Sequence, residues 1–108
     1  MLTIDASEIV QSKWSKTIEY FYSLHLGGVS SEIQSVHIKI EELPLHKRPA
    51  ALYRCELIVT PVNGHLIKNT VDRENFSAAI DYSFAKAKRM LIRRSRRLGT
   101  DYLLKKLG

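Results

Sequence analysis

Between Asn75 and Leu98 the apolar residues Phe76, Ala79, Ile80, Phe84, Ala87, Met90 and Leu91, with Ser83 among them, return at intervals of three and four. At about 100° per residue they fill a sector of roughly 140°. The segment is therefore predicted to be one long helix with a single apolar face. A face of that length needs a second layer to cover, and this requirement narrows the fold more than any other feature of the chain.

The rest of the sequence supplies that layer. Val36, Ile38 and Ile40 alternate with His37, Lys39 and Glu41, so Ser35 to Glu41 reads as a strand with one buried and one wet face. Tyr53, Cys55, Leu57 and Val59 alternate with Arg54, Glu56 and Ile58 in a second strand, Ala51 to Thr60. Asn63-Gly64 favours positive φ and predicts a tight hairpin turn into a third, antiparallel strand, His65 to Val71. Leu43 to Ala50, with two prolines around His46-Lys47-Arg48, reads as a loop with a basic tip. Upstream, Val10, Trp14, Ile18, Phe21 and Tyr22 build the stripe of an earlier amphipathic helix, opened by Ser7 and closed at Gly27-Gly28, where a left-handed C-cap is expected. Leu2-Thr3-Ile4 is either a very short strand or a cap region for that helix.

The expected fold class is α+β: a two-layer β-α-β-β-β-α sandwich with both helices on one face of a mostly antiparallel sheet, the first strand short or missing. At 108 residues the chain has room for one core. The domain is expected to span 1–98, with 99–108 as a short tail. The composition, 44% hydrophobic and 26% charged, is that of a soluble globular protein. With no long apolar run and no leader, a cytoplasmic location is expected.

The chain carries 17 basic against 11 acidic residues, a net charge of +6. The excess is concentrated in the second half of the last helix. There Lys86, Arg89, Arg93 and Arg97 follow at three, four and four residues, with Arg96 beside them, on an arc facing away from the apolar sector. Lys88 faces elsewhere. Arg94 projects towards the apolar sector and is expected to snorkel or to cap the sheet edge. Guanidinium groups match phosphate because their planar fork donates two parallel hydrogen bonds and stays charged. The arginine bias points to nucleic acid first, and to an anionic membrane or an acidic protein second. The bland alternative is a solvated face that serves solubility. The stripe has no bulky apolar flank, which counts against membrane insertion. Lys13, Lys16, Lys47 and Arg48 are weaker additions.

Catalysis has no foothold in the sequence. His25, His37, His46 and His65 lack the spacing of metal or catalytic motifs, and lone Cys55 can form no internal disulfide. Neither a glycine-rich phosphate loop nor a nucleophile elbow occurs, and Glu41-Glu42 and Asp72 to Glu74 lie at strand ends. No metal, cofactor, small-molecule substrate or enzymatic activity is expected. Trp14, Tyr20, Tyr22, Tyr53, Tyr82 and Tyr102 offer rings on which bases could stack, but Trp14 and Tyr53 sit at predicted core positions and no pair of exposed aromatics falls on adjacent strands, so recognition by shape and phosphate backbone is expected over base readout.

The stretch from Asn75 to Arg97 resembles the second helix of the ribosome hibernation-promoting factors, also called ribosome-associated inhibitors or sigma-54 modulation proteins. Ala78-Ala79-Ile80-Asp81 stand where that family has A-A-I-D, and Lys86, Arg89, Leu91 and Arg93 continue its register. Lys13-Trp14-Ser15-Lys16 through Glu19-Tyr20-Phe21 is similar to its K-F-x-K-L-E-x-Y-F. With the strand block and the Asn63-Gly64 hairpin also in order, the resemblance covers nearly the whole chain.

The resemblance implies the β-α-β-β-β-α fold, no catalysis, and binding to the small ribosomal subunit in the channel of messenger and transfer RNA, blocking translation during stress or stasis. Carried over by position, the ribosomal RNA contacts would be Lys13, Lys16, Lys86, Arg89 and Arg93, extended by Arg96 and Arg97, with Lys47, Arg48 and Lys88 as further candidates. Ser77 replaces the family's common tyrosine. The sequence stops soon after the second helix, so the C-terminal dimerisation domain of long members is expected to be lacking, and a monomer that does not itself pair ribosomes is expected. A shortened first strand would leave an exposed edge on Ser35 to Glu41, open to weak self-association. A double-stranded-RNA-binding domain shares the element order, but its basic cluster lies at the start of the last helix, where Phe76 to Ala85 carries no basic residue. A basic module docking onto an acidic protein is the rival from another class.

Overall fold

The computed structural model describes residues 2–44 and 51–97, apart from the side chains of Ile9 and of residues 95–97. The elements are β1 (Leu2–Asp5), α1 (Glu8–Leu26), a 3₁₀ segment (Gly27–Glu32), β2 (Ile33–Leu43), β3 (Leu52–Pro61), β4 (Ile67–Arg73) and α2 (Phe76–Arg97). The strands form one sheet in the order β1-β2-β3-β4. β2 and β3 pair antiparallel with Ile38 opposite Leu57, and β3 and β4 with Leu57 opposite Asn69.

β1 pairs with β2 in parallel, Leu2 opposite Val36 and Asp5 opposite Lys39. The first strand therefore exists, and it covers the edge of β2 that was expected to be open. A parallel neighbour requires a crossover, which α1 provides, and the half-buried Leu2 and Ile4 pack against the core. The outer edges of the sheet are β1 and β4.

One face of the sheet is covered by both helices. Val36, Ile38, Cys55, Leu57 and Val59 are completely buried against Ile18 and Leu26 of α1 and Ala79, Ile80, Phe84 and Ala87 of α2. Trp14 stacks on Phe76 at 4.7 Å, and eight residues further along each helix Tyr22 meets Phe84 edge-on at 6.0 Å. The two helices therefore run parallel, with a third tie where His25 Nε2 lies 2.6 Å from Asp81 Oδ1.

The helix starts follow the sequence reading. The Val10 N–H donates to Ser7 Oγ at 3.3 Å, and the Ala78 N–H to Asn75 Oδ1 at 3.0 Å. The end of α1 departs from it, because Gly27 is right-handed (φ −58°) and the chain tightens into the 3₁₀ segment. There the buried Val29 anchors the connection to β2. β2 is longer than its alternation predicts, because an irregularity between Ile33 and Ser35 shifts the pattern while Ile33 still pairs with Pro61.

The β3–β4 connection is wider than a tight turn. Thr60 and Pro61 continue along β2 after the last β4 pair, Val59 with Ile67, and the chain returns over residues 62–66. Gly64 has a φ of +100°, as the Asn-Gly signal predicts. Here the side chain of Arg94 caps the sheet edge, its guanidinium donating to the carbonyls of Asn63 (2.6 Å) and His65 (3.1 Å). A Cβ on Gly64 would coincide with that guanidinium.

Truncating Phe84 to alanine removes the largest fully buried side chain and is expected to cost about 3–5 kcal/mol in urea unfolding. Gly64→Ala combines a positive φ with the loss of the Arg94 seat and is expected to cost about 1–3 kcal/mol. Burial pushes the Cys55 thiol up to about 11 against the opposing hydrogen bond with Ser83. In the folded protein Cys55 should stay unreactive to an aromatic disulfide reagent at mildly alkaline pH and react fully in denaturant.

Candidate nucleic-acid interface

The uncovered face of the sheet balances its own charge. Lys39, Arg54 and Lys68 alternate across the strands with Glu41, Glu56 and Asp72, and the register sets Lys39 opposite Glu56 and Arg54 opposite Asp72. Arg54 donates to both Asp72 oxygens at 2.9 and 3.0 Å, and Lys68 Nζ lies 3.0 Å from Glu56. Hydrogen bonding and the charge of Asp72 raise the Arg54 pKa, and Lys68 lowers that of the Glu56 carboxyl in the same way. Asp5 of β1, opposite Lys39, adds a fourth acid, and three bases set among four acids leave this face no net attraction for a polyanion.

The outer flank of α2 is different. Arg89 and Arg93 are exposed one turn apart, and Lys86 is half-buried beside them. No carboxylate forms an ion pair with any of the three among the described residues. Their shared face follows from the helix, since positions 86, 89 and 93 fall within roughly 60° of one another. The stripe continues into two further residues, Tyr82, which the sequence reading weighed as a base-stacking aromatic but did not place on the stripe, and Arg73, which it missed. Tyr82, 46% exposed, precedes Lys86 by one turn. Arg73, at the end of β4, sets its guanidinium carbon 4.2 Å from the Tyr82 ring centroid, and Arg89 approaches the same ring at 5.7 Å. Tyr82 was legible by the same periodicity that gave the stripe. Arg73 was not, because only the β4–α2 packing brings it there.

The other expected contacts are dispersed. Lys13 lies over Trp14 at 5.6 Å and Lys16 is exposed one turn on, both beside the start of α2 because Trp14 stacks on Phe76. At 1.5 Å per residue they are about 15–25 Å along the helix axis from Arg89 and Arg93, a second patch and not part of the stripe. Lys88 is half-buried and lies on the flank nearer α1 by the same helical geometry. The helix continues through Arg96 and Arg97, whose side chains lie outside the described residues, as do Lys47 and Arg48 entirely. Beside the stripe, Met90, Arg93 and Arg94 face His65 to Lys68 across a shallow groove of about 590 Å³. Among the described residues no three His, Cys, Asp or Glu side chains gather as metal ligands would, and no helix is long and apolar enough to cross a membrane.

The family model for the sigma 54 modulation protein / S30EA ribosomal protein matches residues 2–99 of the chain. No curated protein matches it in sequence. Among solved structures, a ribosomal subunit interface protein from Coxiella burnetii superposes with a TM-score of 0.62 at 13% identity, over 88% of this chain and 97% of that one. At that identity the likeness is one of fold.

Because Arg89 and Arg93 are exposed and support no ion pair among the described residues, reversing both to glutamate should leave stability within about 0.5 kcal/mol of wild type in urea unfolding. A larger loss would show that the stripe is structural.

Proposed function

Since the chain belongs to the sigma 54 modulation protein / S30EA ribosomal protein family, we propose that it is a ribosome-binding hibernation factor acting without catalysis. In this reading residues 1–98 form the binding domain and 99–108 a tail. A single copy occupies the channel of messenger and transfer RNA on the small subunit and withholds it from translation during stress or stasis, in the cytoplasm. The observation that carries the reading is the uncompensated stripe of Lys86, Arg89 and Arg93 on a molecule whose open sheet face is neutralised.

Ribosomal RNA supplies the matching surface, a dense array of phosphates whose counterions are released when guanidinium groups replace them. Arg96 and Arg97 extend the stripe, and Lys13 and Lys16 make a separate contact at the other end of the helices, with Lys47, Arg48 and Lys88 as outlying candidates. Two patches about 15–25 Å apart suit a folded RNA surface better than one short strand.

Co-sedimentation with purified small ribosomal subunits across a salt series tests this. Wild-type protein should pellet with the subunit near physiological salt, its affinity falling about 10- to 50-fold between low and moderate salt if three phosphates are contacted. Arg89→Glu/Arg93→Glu should not pellet. Equal pelleting of both proteins, or of neither, would sink the ribosomal reading of the stripe.

A further inference from the structure

We infer that Tyr82, with Arg73 and Arg89 around its ring, forms a stacking site for an unpaired RNA nucleobase within the basic stripe. The proposal rests on the ribosomal RNA reading above and extends it from phosphate contact to base contact.

Three observations carry it. Tyr82 is one of five large apolar side chains left exposed among the described residues, at 46%, although it stands on a helix that supplies much of the core. Core packing does not account for it, since it lies on the flank of α2 that carries Lys86, Arg89 and Arg93, away from Phe76, Ile80 and Phe84. Two guanidinium groups from different elements converge on its ring, Arg73 at 4.2 Å and Arg89 at 5.7 Å.

Arg73 points to the helix-covered side of the sheet, because its strand neighbour Asp72 points to the open side, where it binds Arg54. One N–H of Arg73 is spent on the carbonyl of Asp72 at 2.8 Å, which fixes the group over the ring. Neither Arg73 nor Arg89 forms an ion pair among the described residues. Two like charges brought to one aromatic ring, with no ion-paired carboxylate among the described residues, make a cationic, anion-binding site with a flat, polarisable floor.

An unpaired nucleotide matches both properties. Its base offers a π face to a ring or to the plane of a guanidinium group, and its phosphate offers oxygens to the remaining N–H donors. A base in a duplex is already stacked on both sides and offers only the phosphate. The site therefore distinguishes single-stranded from paired RNA, which phosphate contact alone does not. At this one position the stacking site departs from the expectation that shape and phosphate backbone are recognised over bases.

Fluorescence anisotropy with two labelled probes, an oligouridylate and an RNA duplex with the same number of phosphates, tests the proposal. Tyr82→Leu keeps an exposed apolar side chain and removes the ring, whereas Tyr82→Phe keeps the ring. The expected result is a loss of about tenfold in oligouridylate affinity for Tyr82→Leu, near wild-type affinity for Tyr82→Phe, and little change in duplex binding for either. Unchanged oligouridylate binding by Tyr82→Leu, while Arg89→Glu/Arg93→Glu loses it, would overturn the stacking site and leave the RNA reading standing. Equal losses on both probes would also overturn it, as would a wild-type protein that pellets with small subunits but ignores oligouridylate. Wild-type protein that binds neither probe nor subunits would remove the RNA reading and the stacking site together.

Discussion

The packing of α2 on the sheet is the interaction on which the other features depend. An isolated helix of this length is marginal in water, and this one carries a concentration of like charges in its second half that opposes its formation. Phe84, Ile80, Ala79 and Ala87 are completely buried beneath it, and burying each large apolar side chain contributes about 1.5–3 kcal/mol. That burial holds the helix against β3 and β4 and thereby holds its outer flank as a stripe. Without the apolar face the arginines would be a cationic segment with no fixed spacing.

The two outward surfaces of the molecule have divided the charge between them. On the open sheet face each strand presents residues opposite their counterparts on the next, and the Arg54–Asp72 and Lys68–Glu56 pairs follow from the antiparallel register. On α2 the periodicity brings bases next to bases. The basic excess behind the net charge of +6 is thus concentrated on α2 and not on the open sheet face. The same sheet pairing sends Asp72 outward and Arg73 inward, so that the acid is neutralised on one side while the base reaches Tyr82 on the other.

Much of this was legible in the sequence because period and fold agreed. The apolar sector of α2, the alternation in β2 and β3, the capping of α1 by Ser7 and the role of Arg94 at the sheet edge each follow from local spacing. What local spacing missed was non-local. Four residues, Leu2–Asp5, are too few to separate a strand from a helix cap, and the parallel pairing with β2 that decides the matter is made only after α1 has crossed over. The Asn63-Gly64 signal gave the positive φ correctly and the loop length wrongly, because β3 outlasts β4 in its pairing with β2. At the candidate interface the α2 residues were visible and Arg73 was not, since no single-element pattern connects position 73 with position 82.

The hydrogen bonds from Arg94 to the carbonyls of Asn63 and His65 bear on how the stripe meets a partner. Arg94 directly follows Arg93 and shares a helical turn with Lys86's neighbours Arg89 and Met90, so the turn tethers the stretch of helix from which the stripe projects. Helix ends ordinarily fray, and a frayed end would have to be ordered at the moment of contact, at a conformational-entropy cost of about 1–2 kcal/mol for each residue fixed. Through Gly64, whose missing side chain leaves the guanidinium its seat, that ordering is completed during folding. On the proposed reading, a polyanion then meets cations carried on a helix that is already ordered.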